Sequence, residues 1–294
     1  MEQQISIAMA SYNGAAYIRT QILSLVTQEL MPAEIVIVDD GSNDDTVPIV
    51  EALQLQFPII SLHRNSENMG PVRSFKKAVS LCRYAFVALC DQDDIWLPDK
   101  LKLSAEALNG LDSNVPAMVY TDLEVIDVQE KSLAPSFWGV QGFQISKMNF
   151  RKILLRNVVT GCTVLMNGRM KAELIKMPAE VAMHDHWLAL IAYGFGEVVA
   201  LHTATVKYRQ HLSSVTLKQK KTFIQRLVLL GENLVDKQRE YLKLEVQQAV
   251  VFNKMYGMHL VENKKQQLRT FMELQSKSSA ARKLYAAFQK LSSL

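Results

Sequence analysis

The sequence predicts an α/β protein with helices on both faces of its sheet and a helical extension toward its C-terminal end, and three observations carry that prediction. Between Gln4 and Leu108 an apolar strand pattern, a polar loop and a helical pattern recur four times, the order that right-handed crossover connections produce. Polar residues gather where those strand patterns stop, at 11–14, 39–42, 68–70 and 91–94, and open α/β sheets bind ligands outside the carboxyl ends of their strands. From Lys218 the periodicity is helical throughout, which separates a sheet-bearing part, 1–217, from a basic helical part, 218–294.

Gln4-Ile-Ser-Ile-Ala-Met9 alternates and then turns apolar, a first strand ending at Ser11-Tyr12-Asn13-Gly14; Ile18, Ile22, Leu25 and Val26 then recur at helical steps. Glu34-Ile-Val-Ile-Val-Asp39 is a continuous β-branched run of the kind buried on both faces of a parallel sheet. Asp39-Asp40-Gly41-Ser42 follows, and Asp44-Asp45 cap a helix carrying Val47, Val50 and Leu53. A third strand, Ile59 to His63, runs into Asn68-Met-Gly70-Pro71 and a helix from Val72 to Cys82. The fourth, Tyr84 to Cys90, ends in Asp91-Gln92-Asp93-Asp94, ahead of a helix from Pro98 to Leu108.

Further strands are expected at Ala117 to Asp122, Asn157 to Met166 and Glu197 to Tyr208, with Gly161 marking a close approach of ligand or backbone. Leu133 to Met148 reads as an irregular loop whose Phe137, Trp138 and Phe143 either close over a sugar or pack in the core. Met183-His184-Asp185-His186 is polar and enters an apolar helix. In the C-terminal part Phe223, Leu227, Leu230 and Leu234 form one stripe, while Phe271, Leu274, Leu284, Phe288 and Leu291 give others, and Met255-Tyr-Gly257-Met interrupts them.

Composition narrows the class. An apolar share of 49% with 21% charged residues is that of an ordinary globular chain, neither disordered nor collagen-like. No signal peptide is expected after Met1-Glu-Gln-Gln, and no window approaches the roughly 18 uninterrupted apolar residues of a membrane span. Cys82, Cys90 and Cys162 have no Cys-x-x-Cys spacing; they read as reduced core residues of a cytosolic protein, and zinc is not expected. The net charge of +4 hides an asymmetry: residues 1–217 carry 18 Lys+Arg against 23 Asp+Glu, whereas 218–294 carry 15 against 6. A tail of +9 suits an anionic partner such as a membrane face, or is a helix with a solvated Lys-rich side.

The acidic loop is the chemical centre. In an extended tip Asp91 and Asp93 project to one side, where mutual repulsion is costly unless a cation lies between them. Hard carboxylate oxygens suit Mg²⁺ or Mn²⁺, which complete their shells with water and substrate phosphates. A solvated acidic turn is the competing reading of so short a pattern, and the buried strand before it and Trp96-Leu-Pro after it favour the metal. Gly-x-Gly-x-x-Gly is missing after the first strand and no Gly-x-x-x-x-Gly-Lys-Ser/Thr occurs, so neither dinucleotide binding nor the usual nucleoside-triphosphatase is supported.

Taken together, Ser11-Tyr12-Asn13, Val38-Asp39-Asp40-Gly41-Ser42 with Asp44 and Thr46, Asn68-Met69-Gly70, and Asp91-Gln-Asp-Asp94 resemble, in order, the inverting glycosyltransferase family 2. More narrowly, Asp91-Gln-Asp-Asp-Ile-Trp-Leu-Pro-Asp-Lys100, Thr160-Gly-Cys-Thr163, His184-Asp185 with Trp187-Leu188, and Tyr208-Arg-Gln-His211 are similar to bacterial rhamnosyltransferases of surface polysaccharide synthesis. Leu212-Ser-Ser-Val-Thr216 departs from the Gly/Asn-rich turn common there, which bears on sugar specificity more than on chemistry.

The resemblance implies a GT-A, Rossmann-like nucleotide-sugar-binding sheet over 1–217 and a metal-dependent transfer of rhamnose from dTDP-rhamnose to a glycan hydroxyl. The alternative donor is a UDP-hexose or UDP-N-acetylhexosamine, and the alternative class is a nucleotide-sugar-binding protein without turnover. It also implies roles for residues. Donor binding falls to Ser11, Tyr12, Asn13, Asp39, Asp40, Asn68, Gly70, Asp91 and Arg209, with Asp40 near base or ribose and Asp39 near the pyrimidine face; turn formation is the competing role of those two. Asp91 and Asp93 hold the Mg²⁺ or Mn²⁺, joined by His211 unless that is an ordinary loop histidine, while Arg209 meets the diphosphate or is simply solvated. His184 and Trp187 lie on the acceptor side. Asp185 is the general base, a role compatible with an acid that favours a helix N-terminus. A lipid-linked acceptor places the chain in the cytoplasm, peripheral at the inner membrane face, with the basic C-terminal region in contact with lipid. Nucleic acid is not expected, since the crevice lacks interleaved aromatic and basic residues.

Overall fold

The computed structural model describes residues 4–210 and 234–273. Its strands are β1 Ile5–Ser11, β2 Glu34–Asp39, β3 Ile60–Arg64, β4 Phe86–Cys90, β5 Ile95–Trp96, β6 Ala117–Ile126, β7 Ser132–Ala134, β8 Leu165–Met166 and β9 Glu197–Arg209. They form one mixed sheet in the order β3-β2-β1-β4-β8-β6-β9-β5, with β7 paired to β6. β1, β2, β3 and β4 are mutually parallel neighbours, as the unalternating runs require: every residue of β2 is buried, because helices cover both faces. β8 is antiparallel to both β4 and β6, and it closes the parallel half against the rest.

The helices are α1 Ile18–Leu25, α2 Thr46–Gln54, α3 Pro71–Leu81, α4 Lys100–Asn109, α5 Phe137–Gln141, α6 Phe150–Leu155, α7 Gly168–Ile175, α8 His184–Phe195, α9 Leu234–Tyr256 and α10 Glu262–Met272. α3 starts where Gly70 takes φ 84°, a left-handed conformation that glycine adopts without strain, and Pro71 fixes the first helical φ. At α2 the oxygen comes from Asp44, which accepts from the Thr46 N–H and hydroxyl and from Ala15 N; Asp45, at the N-cap position, makes no side-chain cap.

Two sequence expectations change. Asn157 to Met166 is a strand only at its last two residues, because Thr160 O accepts from both the amide and the hydroxyl of Thr163 and winds Gly161–Thr163 into a 3-10 turn. The 133–148 stretch is ordered: Asp122 accepts from the Ser136 hydroxyl and Trp138 N, and Phe137 and Trp138 are buried, so core packing is their role.

The described C-terminal helices join the main core. Phe252 packs on Trp187, Phe150 and Phe195; Tyr256 packs on Trp187, and its hydroxyl donates to Glu173 Oε2 at 2.7 Å. The break predicted at Met255-Tyr-Gly257-Met is present as a 3-10 turn, Gly257–His259. The stripes at 223–230 and 274–291 lie outside the described residues. Phe252 is fully buried, so Phe252→Ala is expected to cost about 3–5 kcal/mol of unfolding free energy, read by denaturant titration. Among the described residues no helix is long and apolar enough to cross a membrane.

Candidate active site

Parallel register brings the polar loops together. Ser11 pairs with Asp39 and Met9 with Cys90, so β1, β2 and β4 end side by side and their loops share one crest. Side chains then tie the loops to each other. Ser11 Oγ donates to Asp39 Oδ1 at 3.1 Å, and Asp39 also accepts from Ser42 N and Oγ. Asn13 N donates to Ser42 Oγ, and Asn13 Oδ1 accepts from Asn43 N, both at 2.9 Å. Asp40 accepts from Asn65 Nδ2 at 2.7 Å, Met69 N at 2.9 Å and Gly70 N at 2.8 Å. Asn68 is exposed beside them and bonds Gly70 N through its own Oδ1 at 3.2 Å. A buried carboxylate is costly unless hydrogen-bonded, so the two adjacent carboxylates after β2 fold back onto N–H and O–H donors. For Asp39 and Asp40 the turn-forming role is the one these bonds serve. Gly41, at φ 80°, lets the turn pass against the Glu67–Asn68 backbone, which a Cβ would meet at 3.3 Å.

Gln92 is a residue the sequence reading passed over. Its Oε1 accepts from Tyr12 N at 2.9 Å and its Nε2 donates to Tyr12 O at 3.0 Å, so one amide clamps the first loop to the acidic loop. Gly14 makes room for it, since a Cβ there would overlap Gln92 Oε1. Tyr12 itself is 45% exposed above that clamp, free to face a planar ligand.

The acidic loop differs from an extended tip. It bends at Gln92 and Asp93, so the closest ligand-type atoms are those of Asp91, Asp94 and Cys162, all within 4.8 Å of one another. Asp93 remains near enough to push both neighbouring carboxyls up. Burial, then the Asp93 and Asp185 charges, raise Asp91 to about 7, and burial with Asp93 and Asp91 raises Asp94 well above the carboxylate range. Asp94 is fully buried, and its Oδ2 has no hydrogen-bond partner. Crowded carboxylates with an orphaned buried oxygen fit a hard divalent cation. The oxygens brought together are those of Asp91 and Asp94, with the Asp93 charge close enough to act on both. The Cys162 thiol, held protonated by burial, is a neighbour and no hard-cation ligand. His211 lies outside the described residues.

Lys100 is another residue the sequence left without a role. It is fully buried, its Nζ donates to Thr163 O at 3.1 Å and sits 4.5 Å over the Trp96 ring, and burial lowers its pKa to about 8. Its only signal was its place in Trp96-Leu-Pro-Asp-Lys100 directly after the acidic run, and a lysine is seldom fully buried.

Arg209 corrects both sequence readings. It is 2% exposed: its N donates to Asp94 Oδ1 at 3.1 Å, Nε to Asp93 O at 3.0 Å, and the guanidinium also reaches Glu130 Oε1 at 3.2 Å and lies 4.9 Å over the Tyr17 ring. It pins the acidic loop to β9, so it is neither solvated nor held in reserve for a diphosphate.

On the other wall, α8 begins with His184 and Asp185. Asp185 is 9% exposed; its Oδ1 accepts from His186 N at 2.6 Å, and burial raises its pKa to about 6 against bonds from His186, Asn157 and Gly161 that lower it. Its charge is felt by Asp91 across the crevice. His184 stacks on Phe75 of α3 with centroids 4.4 Å apart, its Nε2 is buried without a partner, and burial lowers it to about 4. The close approach at Gly161 is made by this ring: a Cβ there would meet Nε2 at 2.8 Å. Trp187 is not on the acceptor side. Two residues past Asp185 it points to the opposite face of α8, fully buried against Phe252 and Tyr256 of α9.

Residues 6–168, which carry all of these loops up to Cys162, match the family model "Glycosyl transferase family 2". The chain belongs to glycosyl transferase family 2. Within it, the chain is 27% identical over 230 residues to "UDP-Glc:alpha-D-GlcNAc-diphosphoundecaprenol beta-1,3-glucosyltransferase WfgD" of Escherichia coli, covering 78% of this chain and 85% of that protein. It is 38% identical over 119 residues to "dTDP-rhamnosyl transferase RfbG" of Shigella flexneri, covering 37% and 41%. An uncharacterized glycosyltransferase of Rickettsia prowazekii is matched over 65% of its length and one of Rickettsia felis over 28%. The family 2 chain superposes on S. aureus TarS in complex with UDP-GlcNAc at TM-score 0.59 and 15% identity, over 95% of this chain and 83% of that one. It superposes on the mannosyltransferase PcManGT of Pyrobaculum calidifontis in complex with GDP-Man and Mn2+ at TM-score 0.56 and 15% identity, over 100% and 81%. These likenesses make the fold GT-A.

Proposed function

We propose that this family 2 chain is an inverting, divalent-metal-dependent glycosyltransferase that moves a sugar from a nucleoside-diphosphate donor to a hydroxyl of a lipid-linked glycan. The observation that carries the reading is the pairing across one crevice of a carboxylate crest, Asp91, Asp93 and Asp94, with a separate buried carboxylate, Asp185. The donor's base and ribose lie against the loops of Ser11–Asn13, Asp39–Asp40 and Asn68–Gly70. Asp91, Asp93 and Asp94 would hold Mg²⁺ or Mn²⁺, which when bound would supply the charge neutralisation the departing nucleoside diphosphate needs. Asp185 takes the proton of the acceptor hydroxyl as that oxygen bonds to the anomeric carbon. The bond from that carbon to the phosphate oxygen breaks, and its electron pair leaves with the diphosphate. A pKa near 6 leaves Asp185 ionised at neutral pH yet basic enough to accept the proton. Similarity to RfbG supports dTDP-rhamnose as donor; the broader similarity to WfgD supports UDP-glucose as the second reading. Incubation of the protein with Mn²⁺, a polyprenyl-diphosphate-linked sugar and each donor in turn tests this. A glycosidic product of inverted anomeric configuration from one donor is expected; no product from any nucleoside-diphosphate sugar contradicts it.

Peripheral membrane contact belongs to the same reading. Cutting the chain at Lys218 would strip buried Phe252, Tyr256, Leu268 and Phe271 from the core, so the test is removal of 274–294, which carry four Lys or Arg and no acid. At about 1 kcal/mol for each cation near anionic lipid, that truncation is expected to weaken sedimentation with phosphatidylglycerol vesicles at least about tenfold. Equal pelleting of the two proteins would place the lipid contact elsewhere.

A further inference from the structure

Outside the crevice, α3 and the α7–α8 connection enclose a groove of about 360 Å³, lined along one side by Met69, Val72, Arg73 and Lys76 and on the other by Met177 and Pro178. The α3 residues recur at three- and four-residue steps, so they form one stripe on the side of that helix away from buried Ser74, Phe75 and Ala78. The stripe mixes two chemistries that a solvated face keeps apart. Met69 is 42% exposed, Arg73 is exposed with no ion pair among the described residues, and the Lys76 ammonium is held over the groove by Met177 O at 2.6 Å. No acidic side chain lines it.

We propose that this groove binds the diphosphate and the first prenyl units of the lipid-linked acceptor, a proposal that rests on the glycosyltransferase reading. A free sugar needs neither cations nor an apolar wall, and an inorganic anion needs no methionine. An anionic head joined to an apolar chain needs both, side by side. The volume lies toward the lower end of the roughly 300–1,000 Å³ of small-molecule sites, enough for the head and a short stretch of chain, the rest remaining in the bilayer. Position supports the same occupant. One end of the groove is Met69, whose amide is held by Asp40 in the crevice wall. The opposite wall continues from Pro178 along the chain into Asp185, and α3 reaches that site from its other face through the stack of Phe75 on His184. The groove therefore meets the crevice at its Met69 end, and that is the end from which a sugar borne on a diphosphate seated here enters it.

Calorimetric titration of the full chain in EDTA, with farnesyl diphosphate, inorganic pyrophosphate and farnesol as separate probes, tests the proposal. Farnesyl diphosphate is expected to bind at least about tenfold more tightly than either fragment. Arg73→Glu and, separately, Val72→Gln are each expected to weaken it at least about tenfold, the first through charge and the second through the apolar wall. Pyrophosphate binding as tightly as farnesyl diphosphate, or both variants binding like wild type, would overturn it. Thermal stabilisation by Mn²⁺ with UDP- or dTDP-sugar is measured on the same three proteins. It is expected to be equal in all of them, which shows the variants folded, and its absence from wild type would count against the glycosyltransferase reading and leave the groove result to stand by itself.

Discussion

Asp185→Asn is expected to slow sugar transfer at least about a hundredfold at saturating acceptor while leaving donor and Mn²⁺ binding unchanged, because general-base help is typically worth about 10² to 10⁴ in rate. The pH profile separates lost basicity from lost shape. A base near pKa 6 makes wild-type activity fall as pH drops through about 6, and the variant should lack that limb. Stability moves the other way. The folded carboxyl holds its proton to about 6, whereas its ordinary value is 3.8, so between these values the unfolded chain binds fewer protons and stability falls as pH rises. Above pH 6 the ionised group is a standing cost to the fold, so the variant's Tm at pH 8 should not be below that of wild type. Wild-type turnover in Asp185→Asn would move the base elsewhere.

Asp91→Asn is expected to abolish Mn²⁺-dependent donor binding. In wild type, donor and Mn²⁺ at a hundredfold excess over Kd should stabilise the fold by about 2.7 kcal/mol, and in the variant by nothing measurable. Without metal the order reverses. Asp91 is raised to about 7 by burial and by the Asp93 and Asp185 charges, so replacing it with a neutral isostere relieves repulsion and should raise the Tm of the metal-free protein above pH 7. A merely structural role for Asp91 predicts a lower Tm in both conditions.

The parallel half of the fold was legible because its chemistry is local. Short apolar patterns define β1, β2 and β4, and the polar residues that end them mark the crest; Ser11, Asp39 and Asp91 meet there because parallel neighbours in register must end together. What escaped was what depends on distant partners. Nothing near Trp187 announces that Phe252 and Tyr256, far along the chain, cover it and turn it into core. Arg209 read as a diphosphate contact or a solvated side chain because Asp93, Asp94 and Glu130, which bury it, approach only once β9 lies beside β5 and β6. The convergence of Asp91 on Asp94 depends on a two-residue bend that strand alternation does not foresee. Gln92 clamps a backbone, and side chain to backbone pairs across loops leave no periodic trace.

The carboxylate crest is the proposed seat of a metal-bound nucleoside-diphosphate sugar. Isothermal titration of the full chain with dTDP-rhamnose and with UDP-glucose, each in Mn²⁺ and again in EDTA, measures that directly. Binding of one donor in Mn²⁺ that weakens at least about a hundredfold in EDTA is the predicted result. Equal affinity in both buffers, or no binding of any nucleoside-diphosphate sugar in Mn²⁺, would contradict it.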